Sequence, residues 1–147
     1  MNSADVTAQL ESIAAAGDDF EWQSHLLTEK WENEPKNLDI VESILRFMEG
    51  HPEIDYGPPG PLVHFVETFP NYEEKLLESI ERQPTPHTVG MLNRVINGKH
   101  DPQERRAILL VMARVLENAA ADAMTRNRAS DYLEFQGRRD LAGRSIH

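Results

Sequence analysis

A chain of 147 residues and 16.7 kDa has the commonest size of a single domain. Its 35 Leu, Ile, Val and Phe side chains, about 24% of the residues, suffice for a core without metal or disulfide staples. Zero cysteines exclude disulfides and thiol chemistry, and 25 acidic against 15 basic residues give a formal net charge of -10. That balance argues against nucleic acid or an anionic membrane as the main partner, and leaves solubility or a basic partner as its two explanations. The start MNSADVTAQLE has no basic region followed by an apolar stretch, and no run approaches the roughly 18 apolar residues of a membrane span, so the expected compartment is the cytoplasm.

Apolar residues recur at helical spacing between Pro and Gly, with almost no apolar/polar alternation, so the expected class is all-α. Ser3 is placed to cap a first helix with Val6, Leu10 and Ile13 on one face and Gly17 as its stop. Asp18 and Asp19 open a second, with Phe20, Leu27 and Trp31 inward and Pro35 ending it. Asn37 caps a third, where Ile40, Val41, Ile44, Leu45 and Met48 form the clearest stripe of the first half. The stretch HPEIDYGPPGP holds four of the nine prolines and reads as the main internal loop, residues 50–61. A short helix over Leu62, Phe65, Val66 and Phe69 follows, then one with Tyr72, Leu76, Leu77 and Ile80 inward, broken by Pro84.

Thr85 and Pro86 start a helix carrying Val89, Leu92, Val95 and Ile96, and Asp101, Pro102 and Glu104 start another. The latter contains ILLVMARVL, residues 108–116, apolar around most of its circumference and therefore expected to be the most buried helix. Ser130 is read as the cap of a last short helix with Tyr132, Leu133 and Phe135, and residues 137–147 as a frayed end. Residues 1–147 are thus expected to form one helical domain. A short HEAT-like stack of antiparallel helix pairs and an irregular helical bundle both satisfy the pattern.

Charge is unevenly distributed. Residues 1–83 hold 18 acidic and 5 basic side chains, net -13, whereas 84–147 hold 7 and 10, net +3. Acid beside aromatic is what a surface that holds a basic protein contains, because carboxylates steer and pair while aromatics anchor. The residues expected to form such a surface are Asp18, Asp19, Glu21, Trp22, Glu29, Glu32, Glu53, Asp55, Tyr56, Glu73 and Glu74. Each cluster also has a plainer reading as a solvated helix face.

Patterns that would carry a reaction are missing. His64 and Glu67, three apart on a helix, have the spacing of paired metal ligands, yet no second pair matches them and a hydrogen-bonded histidine explains them as well. There is no GxSxG, and the prolines of GPPGP remove the N–H donors an anion cradle needs. Arg105, Arg106, Arg126, Arg128, Arg138 and Arg139 lack interleaved aromatics and are expected to pair with acidic groups rather than bind nucleic acid. Asn93, Arg94 and Asn97 read as the exposed face of their helix.

The stretch from Pro59 to Asn97, with GPLVHFVE at 60–67, the Tyr72 to Leu76 step and RQPTPHTVGMLNRVIN at 82–97, resembles small acidic helical immunity proteins of bacterial polymorphic and contact-dependent inhibition toxin systems. The resemblance spans 39 residues, contains no catalytic motif and transfers no interface residue. It implies a non-enzymatic protein that needs no cofactor or metal and binds and neutralises one toxin domain, often a basic nuclease. The competing expectation is a helical adaptor that binds a peptide or associates with itself through its C-terminal helices.

Overall fold

Helix boundaries follow the capping chemistry of the sequence. The computed structural model describes the backbone of residues 1–146 and the side chains of residues 1–143, and among them every regular element is an α-helix. The cap of α1 (Ser3–Ala16) is Asn2 rather than Ser3: its side chain accepts from the Asp5 N–H while the Asp5 carboxylate accepts from the Asn2 N–H. Gly17 ends the helix at φ 71°. Asp19 caps α2 (Phe20–Trp31) and Asn37 caps α3 (Leu38–Gly50). After the loop come α4 (Pro61–Glu67) and α5 (Tyr72–Arg82). A reciprocal Thr85–Thr88 box starts α6 (Pro86–Asn97), and Asp101 caps α7 (Pro102–Val115). The last helix is α8 (Ala123–Ile146).

Contacts cluster into two compact units, Met1–Ser79 and the chain from Ile80 onward, with the division inside α5. The charge divides with them. The first unit holds 17 acidic and 4 basic residues, net -13, and the second 8 and 11, net +3.

In the first unit α1 packs on α3 and α2, and α4 on α2 and α3. The stripe predicted for α3 is buried along its whole length, Ile40, Val41, Ile44, Leu45 and Met48 all at 3% exposure or less. Trp31 is core, its indole N–H donating to Gln9 Oε1 of α1 at 3.3 Å. The loop between α3 and α4 is closed by Tyr56, whose hydroxyl donates to the His51 carbonyl at 2.9 Å and whose ring meets Phe20 edge-on at 5.4 Å. Burial first, and the charges of Glu53 and Glu11 after it, push the Tyr56 hydroxyl pKa well above its ordinary value, so Tyr56 stays a neutral donor.

The second unit is built on α6, α7 and α8, each packed on the other two. Two expectations fail there. The stretch at 108–116 is not the most buried: Val111, Met112 and Val115 are covered by α6 and α8, whereas Leu110 is 55% exposed and Leu116 39%. An apolar circumference forms there with a cover on one side only. Ser130 lies inside α8, which starts eight residues earlier than predicted because Asp122 caps it. The Asp122 side chain accepts from the Thr125 N–H at 2.8 Å and its carbonyl from the Arg126 N–H at 3.1 Å. The fraying expected over 137–147 concerns an end whose side chains from 144 on, and whose last residue, lie outside the described residues. Among the described residues no helix is long and apolar enough to cross a membrane.

The cap has a pH signature. The hydrogen bonds from Thr125, backbone first and side chain second, and then the Arg126 charge, hold the Asp122 carboxyl below its ordinary value of 3.8. A depressed native pKa contributes stability that is present above the unfolded value and lost as pH falls through the folded one. Asp122→Ala should therefore cost about 1 kcal/mol near neutral pH and progressively less as the medium is acidified through the carboxylate range, read from urea unfolding followed by circular dichroism. A deficit that persists in full once the carboxyl is protonated would refute the charge-dependent part of the cap.

Candidate functional site

The first unit exposes two large apolar side chains beyond Met1, and both stand on α2: Trp22 at 55% and Leu26 at 37%. Spaced four residues apart, they share one side of the helix. The position of Trp22 is set from below and beside, since its N–H is the donor that Asp19 caps and its indole stacks on the His25 imidazole at 5.3 Å. His25 Nε2 in turn lies 3.2 Å from Glu29 Oε1. Asp18, Asp19, Glu21, Glu29 and Glu32, on α2 or at its two ends, are all exposed, as is Lys30.

Beside the pair, α2, the end of the proline loop and α4 enclose a cleft of about 490 Å³. Glu21, His25, Thr28 and Glu32 line it from α2 at positions i, i+4, i+7 and i+11, a helical repeat that keeps them on one face. Pro58, Gly60, Pro61, His64, Phe65 and Thr68 line it from the loop and α4, and Lys36 from the turn after α2. Lys36 Nζ sits 4.6 Å from the Phe65 ring centre and 4.7 Å from that of Phe69, and donates to Thr68 Oγ1 at 3.2 Å. His64 Nδ1 lies 3.6 Å from Glu67 Oε1. Glu21 and Glu32 form no ion pair with any described residue, and neither does Lys36, so the cleft carries two unpaired carboxylates and one unpaired ammonium.

The eleven sequence-predicted residues divide into groups. Glu21 and Glu32 line this cleft, with Trp22 and Glu29 on the same helix. Asp18, Asp19, Glu21 and Asp55 line a second cleft of about 370 Å³ where the α1–α2 turn meets the loop. Asp55 also accepts from the Gly57 N–H at 2.9 Å, and Glu53 lies 3.4 Å from His51 Nδ1. Glu73 and Glu74 stand in the first turn of α5 and line neither cleft. Tyr56 must be removed from the surface set: at 1% exposure it cannot touch a partner and acts as the plug of the loop.

Sequence reasoning missed His25, Leu26 and Lys36. The only signal was the i, i+3 placement of Trp22 and His25. Of the residues read as an exposed face, Arg94 and Asn97 are exposed and Asn93 is half-buried, and both asparagines also bridge to α8. Gln136, fully buried on α8, donates to both of their side-chain oxygens at 2.8 Å and accepts from Arg105 at 2.6 Å. Arg105 completes its fork on Asp140 at 2.9 Å and the Ile96 carbonyl at 3.0 Å. Arg105 also borders a cleft of about 700 Å³ with His100, Arg106 and Arg139, but with three bonds made it is committed to the fold.

No group of three or more His, Asp or Glu among the described residues is placed to hold a metal ion. His64 and Glu67 belong to no such group. No family model, curated protein or solved structure matches the chain.

Proposed function

We propose that the chain is a non-enzymatic binding module that holds a basic protein domain and neutralises it by covering it, as an immunity protein does the toxin domain it counters. The observation that carries the reading is the Trp22–Leu26 pair standing exposed on a helix that, with its two ends, carries five exposed carboxylates against one exposed lysine, Lys30. Binding hot spots are built this way, from a large aromatic that loses all its water inside a rim that excludes more. An unsatisfied apolar pair on a highly charged surface needs a cover. The net -13 of the first unit makes that cover basic, because complementary potentials speed encounter and reject acidic competitors. The resemblance of residues 59–97 to immunity proteins points the same way.

The test is protection. Co-expression of the chain should restore growth to cells that produce the toxic domain encoded beside its gene, and Trp22→Ala should weaken the complex by about 2 kcal/mol, roughly thirtyfold, with matching loss of protection. Protection by Trp22→Ala equal to that of the parent, at an unchanged dissociation constant, would overturn the reading.

A second reading, an adaptor that binds a peptide or a second copy, is favoured by the exposed Leu110, Met124, Phe135 and Leu141 of α7 and α8. Light scattering that returns a plain monomer, together with protection by the isolated chain, excludes it.

A further inference from the structure

We infer that the cleft between α2 and α4 is the seat of an extended basic segment of the partner, one that presents two cationic side chains about 16 Å apart. This deepens the proposed function and rests on it for the identity of the partner, though not for the chemistry of the cleft. Glu21 and Glu32 are eleven residues apart on one helix, which at 1.5 Å per residue puts them about 16 Å apart along the axis and within some 20° of the same direction. Both line the cleft and neither is ion-paired among the described residues. Among the described residues Lys36 is the one unpaired cation of the cleft, and the two histidines each face a carboxylate. His25 faces Glu29, His64 faces Glu67, and Lys36 is drawn onto the Phe65 and Phe69 rings with Thr68 as acceptor. A cationic ligand therefore meets two unspent carboxylates, one at each end of the α2 wall. The facing wall combines apolar Pro58, Pro61 and Phe65 with His64, Thr68 and the Lys36 ammonium.

The geometry limits the occupant. An extended chain rises about 3.3 Å per residue, so two arginines reach both carboxylates when they are four to six residues apart, and the even spacings keep their side chains on one face. Adjacent arginines reach only one carboxylate. A helix has the wrong pitch unless its cations lie three turns apart, which makes a loop or strand edge of the partner the better fit. Trp22 borders the cleft through its stack on His25, so its fluorescence reports occupancy.

The experiment uses the full chain and short serine peptides carrying two arginines, spaced either four residues apart or adjacent, titrated at low salt and followed by tryptophan fluorescence. The spaced peptide should bind about five- to tenfold more tightly than the adjacent one, and either Glu21→Gln or Glu32→Gln should abolish that preference while leaving the helical circular dichroism intact. Equal affinity of the two peptides for the parent chain, or a preference that survives both substitutions, overturns the inference. The two failures are distinguishable: a toxic domain that binds with Trp22 buried while the peptides show no spacing preference removes the cleft and leaves the immunity reading standing, whereas a spacing preference without any protection removes the immunity reading and leaves the cleft.

Discussion

Gly60→Ala should cost the first unit at least about 3 kcal/mol, a large part of the 5–15 kcal/mol that typically separates a folded domain from its unfolded chain. Gly60 sits at φ 91°, where a side chain is strained, and a Cβ there would stand 1.6 Å from the Tyr56 carbonyl oxygen. That contact is backbone on backbone, so no rotamer relieves it. Moving the carbonyl means moving Tyr56, and with it the plug that joins α2, α3 and the loop through Phe20 and Phe47. Gly17→Ala is the matched control: its φ of 71° carries the left-handed penalty of about 1–2 kcal/mol, but its Cβ would meet nothing within 4 Å. Both tryptophans, Trp22 and Trp31, belong to this unit, so urea unfolding followed by their fluorescence reads it directly. Equal losses for the two variants would show that the loop relaxes around the added methyl.

In the second unit the corresponding change is Gln136→Leu, which should cost about 3 kcal/mol. Leucine approximates the volume but removes two donors and one acceptor from a fully buried position, leaving half-buried Asn93 and one arm of the Arg105 guanidinium without that partner, while exposed Asn97 keeps its bond from Arg139. Stranding buried polar groups is more expensive than the net worth of the bonds they made, because water cannot replace the missing partner. Circular dichroism should show the loss as a lower urea midpoint for the α6–α8 unit. A loss below about 1 kcal/mol would mean that water reaches the network.

The contrast between these sites explains what could be read from the sequence. Caps and stops were legible because they are local: Asp19, Asn37, Thr85 and Asp101 act on N–H groups two or three residues away, and Gly17 acts on its own φ. The α3 stripe was legible because six buried side chains on one helix leave one possible inner face. What failed depended on distant neighbours. Residues 108–116 look buried all round until it is known that α6 and α8 cover one side only, and Gln136 looks like an ordinary polar residue until two asparagines 39 and 43 residues away accept from it. Ser130 reads as a cap because serine suits the role, but so does aspartate, and it is Asp122 that the bonded N–H selects.

The candidate site was half legible for the same reason. Composition located the acid excess and Trp22, since both are properties of residue type. It could not separate Trp22, exposed and stacked on His25, from Tyr56, buried under the loop, because both read as an aromatic beside carboxylates. Nor could it foresee that Glu21 and Glu32 share a cleft with a proline turn some thirty residues further on.

The central claim is that the acidic first unit holds a basic protein through the α2 face. Its most direct measurement is calorimetric titration of the chain into the basic domain encoded beside its gene, at about 50 mM and about 500 mM salt, for the parent and for a Glu21, Glu29, Glu32→Gln triple variant. A tight complex is expected whose affinity falls at least about tenfold with salt, with the variant both weaker and less salt-dependent. Absence of a complex, or one whose affinity responds neither to salt nor to the three substitutions, would contradict the account.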